Sequence, residues 1–216
     1  MGLPATFMDL WCVVSRPEGV NGRYFLKFML SYALMRYFEL FIKYSLINSF
    51  IIQPFITTID DVVCVGSLPL QSDVEYLIST HRIGCVINMC REYGGPTEKY
   101  SEYLIEQLWL PTPDLSEPRL EDIESAVSYI EDFRSRCPGE RVFIHCKGGR
   151  GRAIIVTLCY LISVGMKQQQ AMDFIKSKRA IASTLAVNAE VVRLFIQRLE
   201  SVKSLESKKS KCYESP

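Results

Sequence analysis

Val142-Phe143-Ile144-His145-Cys146-Lys147-Gly148-Gly149-Arg150-Gly151-Arg152-Ala153 passes from a short apolar run through a glycine-rich turn into a second, longer apolar run. Val142 to Ile144 reads as a buried strand, and Ala153 to Val164 as a buried helix that stops at Gly165. A strand feeding a tight turn and then a helix is the repeating unit of an α/β layer, so the surrounding sequence should alternate in the same way.

It does. Upstream, Val62 to Val65 closed by Gly66 reads as a strand, and Ser72 with Glu75 forms a capping-box pattern opening a short helix through Leu77 and Ile78. Gly84 to Met89 reads as a second buried strand and Leu104 to Leu110 as a third. The turn-rich Pro111-Thr112-Pro113-Asp114-Leu115-Ser116-Glu117-Pro118 follows. Leu120, Ile123, Ala126, Val127, Ile130 and Phe133 recur at helical spacing until Cys137-Pro138-Gly139 breaks the run. Two further helices are predicted, about Gln168 to Arg179 and about Asn188 to Val202, the latter with Val191, Phe195, Leu199 and Val202 on one face. The fold class is therefore α/β, with a central, mostly parallel sheet flanked by helices. The expected organisation is an apolar N-terminal segment over residues 1–58, a globular domain over 59–202 and a polar, disordered tail over 203–216.

The turn carries the chemistry. Successive backbone N–H groups curling toward one point at the positive end of a helix form a cup for a dianion. Gly148, Gly149 and Gly151 leave room for close backbone approach and permit positive φ. Lys147 and Arg150 add cations at the rim, and the planar fork of Arg152 matches two phosphate oxygens. A thiol at the floor of such a cup, beside a helix N-terminus and an arginine, has its pKa depressed. Cys146 then reads as a thiolate nucleophile toward phosphorus. His145 is expected to position the loop through hydrogen bonds. Phosphoryl transfer also needs a general acid; Asp114 is the best candidate, although its local sequence fits a turn-former or helix cap equally well. No metal or organic cofactor is needed.

Composition sets the outer limits. The 216 residues are 48% hydrophobic and 23% charged, enough for one globular domain with an extension, and 25 basic against 24 acidic residues give no bulk charge to attract nucleic acid. The eight cysteines form no C-x-x-C pair and only two histidines accompany them, which argues against a zinc site or a disulfide framework. Cys64, Cys85 and Cys159 lie in apolar runs and read as core. From Tyr24 to Ile59 the chain is dense in apolar residues, yet Lys27, Arg36, Glu39 and Lys43 interrupt it. Arg36, Glu39 and Lys43 share one helical face, which suits a helix lying on a membrane surface or one packed on the domain. Met1-Gly2-Leu3-Pro4-Ala5-Thr6 fits a myristoylation pattern, with Cys12 as a possible second acylation site.

On these motifs the chain resembles the protein tyrosine phosphatase superfamily, whose signature H-C-x(5)-R is matched by His145 to Arg152. The likeness covers about residues 60–201 and lies in the compact dual-specificity branch. Gly66-Ser67-Leu68-Pro69, Glu92-Tyr93 and Leu110-Pro111-Thr112-Pro113-Asp114 make it similar to the mitochondrial phosphatidylglycerophosphate phosphatase group. The resemblance implies Cys146 as nucleophile, Arg152 as phosphate binder, Asp114 as general acid and Glu92 in support, and it implies a mitochondrial, membrane-associated phospholipid phosphatase. A cytoplasmic or endomembrane surface is the alternative location. The basic rim of Lys147 and Arg150 suits a headgroup with a second phosphate; the alternatives are a phosphoprotein substrate or a slow-turnover phosphate-binding adaptor. The pattern departs at Ala153, where a hydroxyl residue usually follows the arginine, at the altered acidic loop Cys90-Arg91-Glu92-Tyr93-Gly94, and at Asn188, where a water-orienting glutamine is often found. The departures at Ala153 and Asn188 imply slow hydrolysis of the phosphoenzyme.

Overall fold

The structure, a computed structural model, describes residues 30, 34 and 54–213, with side chains as far as residue 204. The expected surface-lying helix face, the acylation pattern and Cys12 lie outside the described residues. Five strands form one sheet: β1 (Ile56–Thr58), β2 (Val63–Ser67), β3 (Ile83–Cys90), β4 (Glu106–Thr112) and β5 (Arg141–Cys146), in the order β1-β2-β5-β3-β4. All neighbours are parallel except β1, which pairs antiparallel with β2, Ile56 opposite Gly66. The helices are α1 (Val74–His81), α2 (Thr97–Glu102), α3 (Leu120–Arg136), α4 (Arg152–Ser163), α5 (Gln168–Lys178) and α6 (Glu190–Tyr213), with short 3₁₀ turns at Gln71–Asp73 and Thr184–Asn188.

Strands β2, β3 and β5 are almost wholly buried, as continuous apolar runs in the middle of a parallel sheet must be. Their side chains alternate between two cores. Val142, Ile144 and Cys146 join the large core under α3 to α6, whereas Phe143 joins Ile56, Val74, Leu77, Val86 and Tyr100 in the smaller one under α1 and α2. Helix α4 is buried from Arg152 to Ile162 and acts as the spine of the large core. Each such aliphatic side chain contributes about 1.5–3 kcal/mol by leaving water. Cys85 and Cys159 belong to this core, and burial pushes both thiols up to about 12, so they pack as small hydrophobes. Burial likewise raises Cys64.

Several boundaries differ from the sequence reading. The sheet starts at Ile56, ahead of the boundary expected at residue 59, because β1 adds an edge that three residues are too few to announce. The cap near α1 comes from Asp73, whose Oδ2 accepts from Leu70 N at 2.8 Å, and not from Ser72 with Glu75. Strand β4 begins later than expected because the chain first turns at Leu104, φ 57°, after the unforeseen helix α2. Beyond residue 203, where a disordered tail was expected, α6 continues to Tyr213. No Gly or Pro interrupts that stretch, and elongating a helix already anchored by buried Val191, Val192 and Phe195 adds a hydrogen bond per residue fixed. Among the described residues no helix is long and apolar enough to cross a membrane.

Parallel strands bring their carboxyl ends to one edge. Ser67 pairs with Cys146, Asn88 with His145, and Cys90 with Thr112. The loops leaving β2, β3, β4 and β5 therefore converge where ligands bind in open α/β sheets.

Candidate active site

Cys146 ends β5, 4% exposed, and α4 opens six residues later with Arg152. The ladder of α4 begins with Ile155 N donating to Gly151 O at 3.0 Å, so the N–H groups of Arg152, Ala153 and Ile154 precede it. Between them, Lys147 to Gly151 form the turn. Only Gly149 has the positive φ, 61°, that glycine was expected to supply, and a Cβ there would lie 2.4 Å from the backbone of Gly66. The same expectation fails at Gly148 and Gly151. A Cβ at Gly148 would meet nothing closer than 3.8 Å, and one at Gly151 nothing within 4 Å. Gly149 is the residue that lets the turn lie directly on the end of β2.

Arg152 is 4% exposed and held on several sides. Its Nη2 donates to Glu92 Oε1 at 3.0 Å and to Asp114 Oδ1 at 2.8 Å. Its Nη1 donates to Thr112 O at 2.7 Å, Glu92 Oε2 at 3.2 Å and Met89 O at 3.3 Å. The forked Arg152–Glu92 pair is buried on both sides, Glu92 at 2% exposure, and fixes the plane of the guanidinium. Asp114 reaches the pair from the loop after β4, and its other oxygen lies 3.5 Å from Lys147 Nζ. Thus Cys146, Arg152, Glu92, Asp114 and Lys147, drawn from three loops, meet in one place. Arg150 points outward, exposed, with Nε donating to Ile181 O at 3.3 Å.

His145 and Asn188 stand differently from their expected roles. The His145 ring is fully buried and stacked on Phe143, centroids 5.6 Å apart. Its nitrogens make no hydrogen bond of ordinary geometry, although the Cys146 backbone slightly favours the charged form. Burial first, then the charge of Arg152, drives the ring down to about 3, so it is neutral and a poor base. It shapes the loop by packing, because the β5 alternation turns it into the small core. Asn188 is exposed at the end of the second 3₁₀ turn and makes no hydrogen bond to the loop among the described residues. Ala153 is buried in the first turn of α4, its carbonyl accepting from Thr157 Oγ1 at 2.8 Å.

Sequence reading missed the scaffold beneath these groups. Asn88 Nδ2 donates to Tyr93 O at 2.8 Å while its Oδ1 accepts from Cys90 N at 2.8 Å. Tyr93 Oη donates to Pro69 O at 2.7 Å, and together these bonds hold the loop that presents Glu92. A polar Asn inside the apolar run of β3 was the available signal. Beneath the turn, Arg179 is 1% exposed and donates to Gly149 O, yet its sequence context, the polar end of a helix, gives no hint of burial.

Residues 65–197 match the dual specificity phosphatase catalytic domain. Among curated proteins, the chain is 35% identical over 147 residues to phosphatidylglycerophosphate phosphatase PTPMT2 of Arabidopsis thaliana, covering 66% of this chain and 63% of that one. It is 32% identical over 112 residues to phosphatidylglycerophosphatase and protein-tyrosine phosphatase 1 of Homo sapiens, covering 49% of this chain and 55% of that one. The chain thus spans less than two thirds of the length of either relative. The crystal structure of PTPMT1 superposes with TM-score 0.61 at 25% identity, covering 69% of this chain and 98% of the other. PTPMT1 in complex with PI(5)P shows the same fold, TM-score 0.63 at 24% identity over 69% of this chain and 99% of that one.

Proposed function

The chain belongs to the dual specificity phosphatase catalytic-domain family, and from that premise we propose that it is a cysteine-dependent phosphomonoester phosphatase acting on a phospholipid such as phosphatidylglycerophosphate. The observation that carries the proposal is the convergence of Asp114 and Arg152, 2.8 Å apart, at the turn whose floor is Cys146. The named activity of the Arabidopsis and human relatives supports the lipid substrate.

In this reading the Cys146 thiolate attacks phosphorus, the bond to the leaving oxygen breaks, and protonated Asp114 gives that oxygen its proton. Arg152, held planar by Glu92, and the turn amides stabilise the equatorial oxygens. Water then attacks the phosphocysteine, Asp114 takes up its proton, and the thiolate departs. Asp114 and an incoming phosphate share the Arg152 Nη2 donor, so substrate entry displaces Asp114 toward the leaving group. Lys147 and exposed Arg150 offer charge for a second headgroup phosphate. The segment before β1 brings the enzyme to a membrane, and by family resemblance that membrane is mitochondrial; fractionation of cells expressing the full chain tests the location.

Phosphate release from phosphatidylglycerophosphate and phosphoinositide vesicles, compared with phosphopeptides, tests the activity. Lipids are expected to give the higher kcat/KM, with release abolished in Cys146→Ser and reduced roughly 10²–10⁴-fold in Asp114→Asn. A preference for phosphopeptides would replace the lipid substrate with a protein one. Release by Cys146→Ser equal to wild type would refute the mechanism.

A further inference from the structure

Arg179 follows α5, 30 residues after Gly149 in the chain, yet its guanidinium lies beneath the phosphate turn. Nε donates to Gly149 O at 2.8 Å and Nη2 to Gly148 O at 3.3 Å. On its other side Nη1 donates to Pro54 O and to Thr57 Oγ1, both at 2.9 Å. Arg179 is among the largest fully buried side chains of the protein, and a Cβ at Gly149 would lie 2.8 Å from its Nη2.

A trans peptide sets its C=O and the following N–H on opposite sides. Drawing the carbonyls of Gly148 and Gly149 down onto Arg179 therefore turns the N–H groups of Gly149 and Arg150 the other way. We infer that Arg179 is a positioning residue for phosphoryl transfer: it aims those two amides into the cup above Cys146 and ties their geometry to residues 54–57, where the N-terminal segment enters the sheet. The inference rests on the phosphatase reading and adds a second arginine to it, one that touches the loop backbone and never the substrate. Arg152 holds the phosphate; Arg179 holds the amides.

The work of Arg179 needs several donors fanned in one plane and a charge that never leaves, which suits guanidinium and not ammonium. Lysine can bond one carbonyl at a time. Misplacement of the amides affects the transition state more than the ground state, because negative charge grows on the equatorial oxygens as the reaction proceeds.

The test uses the full chain with Arg179→Met, Arg179→Lys and Thr57→Val. The readouts are kcat and KM on p-nitrophenyl phosphate, affinity for tungstate by calorimetry, and Tm. Arg179→Met is expected to lower kcat on the order of 100-fold with a smaller change in KM. Tungstate affinity should weaken roughly 10-fold, as for loss of an outer-shell partner. Arg179→Lys should restore part of the loss in kcat. Thr57→Val, which frees one Nη1 bond, should shift kcat in the same direction by less. A lower Tm with kcat and tungstate affinity unchanged in the folded protein would overturn the inference and leave Arg179 a purely structural residue. If Arg179→Met does not fold, unchanged kcat and tungstate affinity in both Arg179→Lys and Thr57→Val would overturn it equally. If wild type hydrolyses no phosphomonoester, the phosphatase reading fails while the tungstate comparison still decides what Arg179 does.

Discussion

At the scale of single residues, the site is built from groups whose burial makes them rigid. Arg152 and Glu92 are a hydrogen-bonded pair at 4% and 2% exposure, and removing Arg152 leaves Glu92 as a buried, uncompensated charge. His145 makes a testable contribution to pH dependence. Its folded pKa of about 3 lies below the usual 6.5, so beneath pH 6.5 the unfolded chain takes up a proton that the folded chain refuses. Stability is full above 6.5 and falls as pH drops toward 3, by up to about 1.4 kcal/mol per pH unit. Urea unfolding of wild type at about pH 7.5 and about pH 5 should show this loss, roughly 2 kcal/mol, and His145→Asn should remove that part of the slope. Ala153 bears on turnover. Ala153→Ser places a hydroxyl in the first turn of α4 and, if departure of the thiolate limits the rate, should raise kcat about 10-fold; the phosphocysteine detected by mass spectrometry on quenching should diminish in parallel.

Among elements, the decisive contact is between the turn over residues 147–151 and the end of β2. Gly149 lies on Gly66, and Gly66 in turn lies under Phe55 O, which a Cβ at residue 66 would approach to 2.2 Å. These are backbone contacts between sheet and loop, so neither side can yield without breaking the β1–β2 or β2–β5 ladder. Gly149→Ala should cost about 3 kcal/mol or more, combining a left-handed alanine with overpacking, and abolish tungstate binding. Gly148→Ala, with no such neighbour, should leave Tm within about 2 °C of wild type. Equal Tm losses in the two variants would show that the loop is not held by β2.

Across the whole molecule, the chain order hides how the site is supported. Thr57 and Arg179 are 122 residues apart in sequence and hydrogen-bonded in space, so the catalytic domain cannot begin at residue 59 without losing β1 and acceptors of Arg179. A chain starting at residue 59 should melt at least about 5 °C below one starting at residue 53, with lower kcat on p-nitrophenyl phosphate. Matching Tm and kcat in the two would show that β1 is dispensable.

What the sequence determined by itself is the part of the protein in which neighbours in the chain are neighbours in space. The strand, turn and helix around Cys146 are contiguous, so apolar periodicity, glycine and the order of residues suffice to place Cys146 at the end of a strand and Arg152 at the start of a helix. Asp114 was legible only as one of two readings, because the turn that carries it looks the same with or without Arg152 beside it. Arg179 and Thr57 carried no local mark of their role, Asn88 only its polarity within an apolar run, and the sheet edge β1 was too short to announce itself. The tertiary structure decided these: a buried polar group acquires its function from partners that parallel strand pairing and helix packing bring from far along the chain, and removal from water makes those partners obligatory.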